Sequence, residues 1–206
     1  MIILSNKNSV QCGFSTKKSS PSDVLSTLGL SDLPVIKMNQ THSNHVRWIE
    51  ALSDQREVIV PDTDALLTGL PDVVLCVKTA DCLPILLTHP EGLIGVIHAG
   101  REGTEKKIVI STLNQALSRV STAKGFEFWL GPAICKTCYQ IDASYDLHYD
   151  LIEENTRQIH QCLPKMSPRI VAVNRCTMCE EDVFFSYRRE KEKAGRMMGL
   201  IARQSL

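Results

Sequence analysis

Between Asp72 and Gly100 the chain runs through three apolar stretches, VVLCVK, CLPILLTH and GLIGVIHAG. Each is nearly continuous in apolar residues rather than alternating, which predicts strands of one sheet covered on both faces. Pro90, Glu91 and Gly92 separate the second run from the third, as expected of antiparallel neighbours. A helix should follow, capped by Thr104, because Ile108, Leu113, Ala116, Leu117 and Val120 fall near helical spacing. FEFWLGPAI (126–134) reads as a buried strand ending in a Gly-Pro turn. Residues 145–159 read as a helix with Leu147, Leu151, Ile152 and Ile159 inward.

RIVAVN (169–174), VFFSYR (183–188) and GRMMGLIA (195–202) carry further strand patterns, and the polar stretch STKKSSPSD (15–23) reads as a mobile loop. Strands cluster too densely for regular βαβ alternation, so the expected class is α+β with a mixed sheet. No linker, repeat or low-complexity tract divides the chain, which predicts a single domain over residues 1–206.

Composition narrows the partners. The chain has 206 residues, 23 basic against 23 acidic, and lacks the cationic surplus that nucleic acid or an anionic membrane requires. Lys78, Asp81, His89 and Glu91 interrupt the apolar runs well before the roughly 20 residues of a membrane helix. The opening MIILSNKNSV has no basic leader, so the expected compartment is the cytoplasm. There the eight cysteines are better read as thiols, ligands or a nucleophile than as a disulfide framework.

Cys82 and His98 sit at the ends of neighbouring apolar runs, and His42 lies in the polar loop NQTHSNHV. One thiolate and two imidazoles with an open fourth position is a catalytic zinc arrangement. Bland readings stand beside it. Cys82 also suits a small buried hydrophobe, His98 a core histidine, and His42 or His45 could each be exposed.

The motifs QTH (40–42), DALLT (64–68), TADCLPILL (79–87), HAGREGT (98–104), GPAICKTCYQI (131–141) and CT…FFSYRR…GR (176–196) occur in a recognisable order. Together they resemble the bacterial multicopper-oxidase-like laccase-domain family. Its members are also described as purine nucleoside phosphorylases, polyphenol oxidases or peptidoglycan editing factors. The resemblance implies a mixed-sheet, four-layer α+β sandwich related to cysteine hydrolases. It also implies a metal on His42, Cys82 and His98, with zinc fitting that donor set better than copper. The implied activities are phosphorolysis of adenosine, inosine and methylthioadenosine, and adenosine deamination, in a monomer or homodimer acting on small molecules. Cys82, His98 and Asp81 would be catalytic, Asp81 as a proton shuttle or else a strand-end hydrogen-bonding residue. Lys17, Gln40 and Arg101 would meet the substrate.

The chain departs from that pattern in places. Arg101 and Glu102 stand where the family has Trp and Arg, and Thr16-Lys17 with KSSPSD replaces a Thr-Arg and Gly-Gly-x-Ser stretch. Lys17 keeps a charge but not the bidentate fork that grips phosphate. Tyr187, Arg188 and Arg189 either line a cleft or form ion pairs with Glu190 and Glu192, and the latter is preferred. Cys135-x-x-Cys138 and Cys176-x-x-Cys179 read as unligated thiols, with a four-thiolate zinc site and a redox pair as alternatives. A cysteine hydrolase using Cys82 and His98 without metal, a copper polyphenol oxidase, and a non-enzymatic metal-pinned relative are the competing functions.

Overall fold

The structure is a computed structural model and describes residues 1–7 and 9–205. The chain opens with β1 (Ile2–Lys7), β2 (Val10–Phe14) and helix α1 (Pro21–Thr27). Strands β3 (Val35–Met38), β4 (Val46–Ile49), β5 (Glu57–Val60) and β6 (Ala65–Thr68) follow. The three apolar runs form β7 (Val73–Thr79), β8 (Leu83–Thr88) and β9 (Ile94–Ala99). Helices α2 (Arg101–Glu105) and α3 (Ile108–Leu117) lead to β10 (Glu127–Leu130), then β11 (Gln140–Asp142), β12 (Leu147–His148) and α4 (Leu151–Cys162). The last elements are β13 (Arg169–Ala172), α5 (Tyr187–Glu190) and β14 (Met197–Arg203).

Two mixed six-stranded sheets carry the fold, in the orders β1-β2-β14-β7-β3-β5 and β13-β10-β8-β9-β6-β4. Burial on both faces explains the continuous apolar runs. On β7, Val73, Leu75 and Val77 face the second sheet, where they meet Leu86, Ile94, Val96 and Trp129. The alternate residues Val74 and Cys76 pack against Val24 and Leu28 of the α1 region. On the far side of the second sheet, Leu83, Ile85, Leu87 and Ile97 pack against Val109 and Leu113 of α3 and Ile159 of α4. Helix, sheet, sheet and helix make the four layers that the resemblance implied.

Several expectations need correcting. The runs of β7 and β8 do not share a sheet, because Ala80, Asp81 and Cys82 carry the chain from one sheet to the other. A run buried on both faces looks alike in either sheet, so periodicity could not assign it. The stretch 15–23 is not all loop: Ser20 and Asp23 form a reciprocal capping box, and Pro21 starts α1. Thr104 does not cap α3. It is buried inside α2, and its hydroxyl and carbonyl accept from the Asn155 and Gln158 amides, at 3.0 and 2.8 Å, which stitches α4 to α2. A left-handed Lys107 precedes α3, which ends before Val120.

The helix expected from residue 145 begins at Leu151, where the Asp150 carboxylate accepts the Glu153 N–H at 3.0 Å, and Leu147 is exposed instead of inward. VFFSYR is not a strand: Ser186 caps α5 and its hydroxyl accepts the Arg189 N–H. No helix among the described residues is long and apolar enough to cross a membrane.

Candidate metal centre

The predicted strand pairing brings the first two candidate ligands together. In the β8–β9 ladder Leu83 pairs with Ala99 and Pro84 with His98, so Cys82 enters β8 beside His98 and Gly100. His98, Val96 and Ile94 lie on the strand face turned toward the other sheet, and the site closes one end of that interlayer. His42 arrives from the loop between β3 and β4 with its backbone in the left-handed region, φ 58°. Its Nε2 stands 3.8 Å from the Cys82 sulfur. The His42 and His98 rings meet edge-on with centroids 4.8 Å apart. One donor atom from each of His42, Cys82 and His98 lies within 4.8 Å of the others. His45 points elsewhere and pairs with Asp62.

Asp64 holds this arrangement, a role that the sequence reading missed although DALLT begins with it. It precedes β6, and its carbonyl accepts the His98 N–H at 2.8 Å in line with the β6–β9 ladder. Its buried carboxylate accepts the His98 Nδ1 proton at 2.7 Å. The same group accepts the main-chain N–H groups of Thr41, His42 and Ser43, at 3.1, 3.2 and 2.8 Å, and the Ser43 hydroxyl at 2.6 Å. Burial alone would raise this carboxyl, but His98 and Ser43 outweigh it and hold it well below the usual range. One carboxylate therefore fixes the loop bearing His42 and the ring of His98, and leaves Nε2 as the free nitrogen of that ring.

The thiol responds to its neighbours. Burial opposes ionisation of Cys82, yet the charge of His98 and the hydrogen bond with His42 pull it down to about 6. Burial likewise disfavours a charged His98, and the thiolate and Asp64 push it up to about 9. Gly100 makes the approach possible. A Cβ there would lie 2.9 Å from the Cys82 sulfur and 3.0 Å from His42 Cδ2.

Asp81 turns away from this cluster. Its φ of 88° marks the tight crossover, and its carboxylate accepts from Thr177 Oγ1 at 2.6 Å, Ser186 Oγ at 3.0 Å and the Arg188 N–H at 2.6 Å. Gln40 is also engaged: its amide brackets the main chain of Lys78, donating to the carbonyl at 2.8 Å and accepting the N–H at 2.9 Å. Lys17 does not line the cavity; it pairs with Glu190 at 2.9 Å and packs over Phe185. Arg101 does line it and makes an exposed pair with Glu105 at 3.3 Å. Arg188 and Arg189 divide the two readings of their motif. Arg188 lines the cavity against Tyr139, and Arg189 pairs with Glu190 at 2.7 Å while donating to the carbonyls of Thr177, Met178 and Phe184.

Above the cluster opens a cavity of about 680 Å³, lined by the cations Lys78, Arg101, Arg188, Lys191 and Arg196 and by the rings of Tyr139 and Tyr187. Residues 18–204 match the family described as multi-copper polyphenol oxidoreductase laccase. The chain belongs to that family.

Within the laccase-like family, the chain is 30% identical over 205 residues to a protein named adenosine deaminase RL5, from an unknown prokaryotic organism. That match covers 86% of this chain and 78% of the relative. A purine nucleoside phosphorylase of Bacteroides thetaiotaomicron is 29% identical, over 84% of this chain and 75% of its own. A Mycobacterium bovis protein of the same name is 34% identical over 118 residues, 57% of this chain and 46% of that one. The crystal structure of YlmD from Geobacillus stearothermophilus superposes with a TM-score of 0.83 at 23% identity, over 99% of both chains. YfiH from Bacillus licheniformis gives 0.80, also at 23% identity, over 95% of this chain and 93% of its own. Both share this fold.

Proposed function

We propose that the chain is a zinc-dependent enzyme of purine nucleosides, performing phosphorolysis of adenosine, inosine and methylthioadenosine and deamination of adenosine. The observation that carries this reading is the convergence of His42, Cys82 and His98, ordered by Asp64, on the floor of a cationic cavity. A thiolate and two imidazoles suit zinc, and among the described residues no methionine lines the cavity to serve as the axial ligand common in blue-copper sites. When bound, zinc supplies Lewis-acid chemistry that no side chain of the cavity can.

The protein's own groups do the rest. Asp64 keeps the Nδ1 proton on His98, so the Nε2 lone pair is presented to the site. Tyr139 and Tyr187 offer faces on which a purine ring can stack. Five cations lining the cavity favour a phosphate nucleophile, and Arg101, whose pair with Glu105 is exposed, can turn toward it. Asp81 acts as a positioning residue, since both its carboxylate oxygens already accept hydrogen bonds.

The test is direct: zinc-loaded protein is incubated with adenosine, inosine or methylthioadenosine, with and without phosphate, and the products are separated. Adenine with ribose 1-phosphate, or inosine, supports the reading; no product from any of the three nucleosides removes it. A second reading, cysteine hydrolysis with Cys82 as nucleophile, is favoured by the thiol drawn down to about 6 beside His42. Stoichiometric metal on Cys82 in the active protein excludes it.

A further inference from the structure

The two Cys-x-x-Cys segments, 41 residues apart along the chain, are brought together by the fold. Cys135 precedes and Cys138 ends a 3-10 turn after β10, and Cys176 and Cys179 lie in the loop after β13. A parallel bridge between Ala133 and Cys176 ties the two segments. Around it the Ala133 N–H donates to the Arg175 carbonyl at 3.2 Å, and the Thr177 N–H to the Ala133 carbonyl at 3.1 Å. All four sulfurs lie within 4.8 Å of one another. A tetrahedron with zinc–sulfur bonds of about 2.3 Å spaces its sulfurs roughly 3.8 Å apart. Cys138 and Cys179 stand at 3.4 Å without a bond between them.

We propose that Cys135, Cys138, Cys176 and Cys179 hold a structural zinc ion, separate from the His42–Cys82–His98 centre. The backbone is arranged for thiolate charge. The N–H groups of Cys135 and Cys179 both donate to the Cys176 sulfur, at 3.3 and 3.4 Å. A divalent ion would neutralise the charge of four thiolates held this close together.

The ion also accounts for a long irregular segment. Residues 173–186 contain no helix or strand, a length of loop that compact domains seldom keep without a functional reason or a staple. This loop shapes the cavity. Thr177, between the two ligands, donates to Asp81 beside Cys82, and Tyr139, next to Cys138, lines the wall. Zinc here would anchor both to the second sheet.

The proposal does not depend on the purine reading, and metal content tests it without any substrate. Full-length protein is produced with zinc, purified under reducing conditions and analysed for metals. Wild type should carry about two equivalents per chain, and Cys82→Ala and Cys135→Ser/Cys179→Ser about one each. Cobalt-loaded Cys82→Ala should show the intense sulfur-to-metal absorbance of an all-thiolate tetrahedral site. Its melting temperature should fall on chelation. If the double variant does not fold, Cys82→Ala still decides. Folded Cys82→Ala without metal, iron in place of zinc, or a Cys138–Cys179 disulfide in the purified protein would each overturn the assignment.

Discussion

Asp64 Oδ1 lies 2.7 Å from His98 Nδ1, and neither side chain is appreciably exposed. The same carboxylate accepts the main-chain N–H groups of residues 41–43, so one buried charge positions candidate ligands from two distant parts of the chain. Asp64→Asn keeps the shape but removes the charge that fixes the imidazole. Metal affinity at this centre should fall about 10–100-fold, as for other partners of ligating histidines. Competition with a chromophoric chelator measures it. Unchanged affinity would show that Asp64 only braces the loop.

The thiol and the imidazole of the metal-free centre make a pH prediction. Cys82 ionises near about 6 against an ordinary 9.0, and His98 near about 9 against 6.5. Alone, the lowered thiol would stabilise the fold fully above 9.0 and lose that contribution as pH falls through 6. The raised imidazole would stabilise it fully below 6.5 and lose that as pH rises through 9. Between 6.5 and 9 the folded pair holds one proton, on His98, and the unfolded pair holds one, on Cys82. The counts cancel, so these two groups leave stability level across that window. Alkylation of Cys82 by iodoacetamide should meanwhile rise with a midpoint near 6. A midpoint near 9 would show the thiol unperturbed. Asp64 adds an acid limb: its contribution is complete above the ordinary 3.8 and is lost as pH falls through its lower folded value.

Gly100 offers a steric test. A methyl group there would overlap the Cys82 sulfur at 2.9 Å and press on His42 Cδ2 at 3.0 Å, while the φ of −76° suits alanine. Gly100→Ala should therefore fold, at a cost of about 1–3 kcal/mol for overpacking. It should lose metal from this centre and keep the four-cysteine ion. Full retention of both ions would mean that Cys82 does not approach His42 as described.

How much of this was legible in the sequence varies by residue. Cys82 and His98 could be paired because Pro90–Gly92 make a local turn, and a turn sets the register of the strands it joins. His42 could be named as a third candidate from its polar loop, but its meeting with that pair rested on the family motif, since no local rule places a loop 40 residues away. The role of Asp64 stayed hidden because it rests on the non-local β6–β9 ladder. Helix α1 was legible in principle from Ser20, Pro21 and Asp23, but the polar stretch around them masked the capping box. The four cysteines were visible as pairs, whereas their meeting depends on the Ala133–Cys176 bridge.

Asp81 separates a positioning role from a proton-shuttling one. Its carboxylate accepts from Thr177, Ser186 and the Arg188 N–H, so Asp81→Asn presents an amide to at least one of those donors. The expected loss of stability is about 1–3 kcal/mol for a buried donor left unpaired. Activity should fall with it, because the loop carrying Arg188 loosens, but the pH–rate profile should keep both limbs. Disappearance of one limb would assign the shuttle to Asp81 after all.

Arg101 tests the phosphate half of the proposed chemistry. It occupies the first turn of α2 at the cavity edge, and its ion pair with Glu105 is exposed and long at 3.3 Å. Such a pair contributes only about 0–1 kcal/mol, so Arg101→Gln should leave the melting temperature nearly unchanged. Removing one charge-assisted contact to an anion costs roughly 1.5–3 kcal/mol, which corresponds to about 10–150-fold in KM for phosphate. Deamination needs no phosphate and should be unaffected. Equal losses in both reactions would place Arg101 on the nucleoside, and no loss in either would leave Lys78, Arg188, Lys191 and Arg196 as the cations that hold the anion.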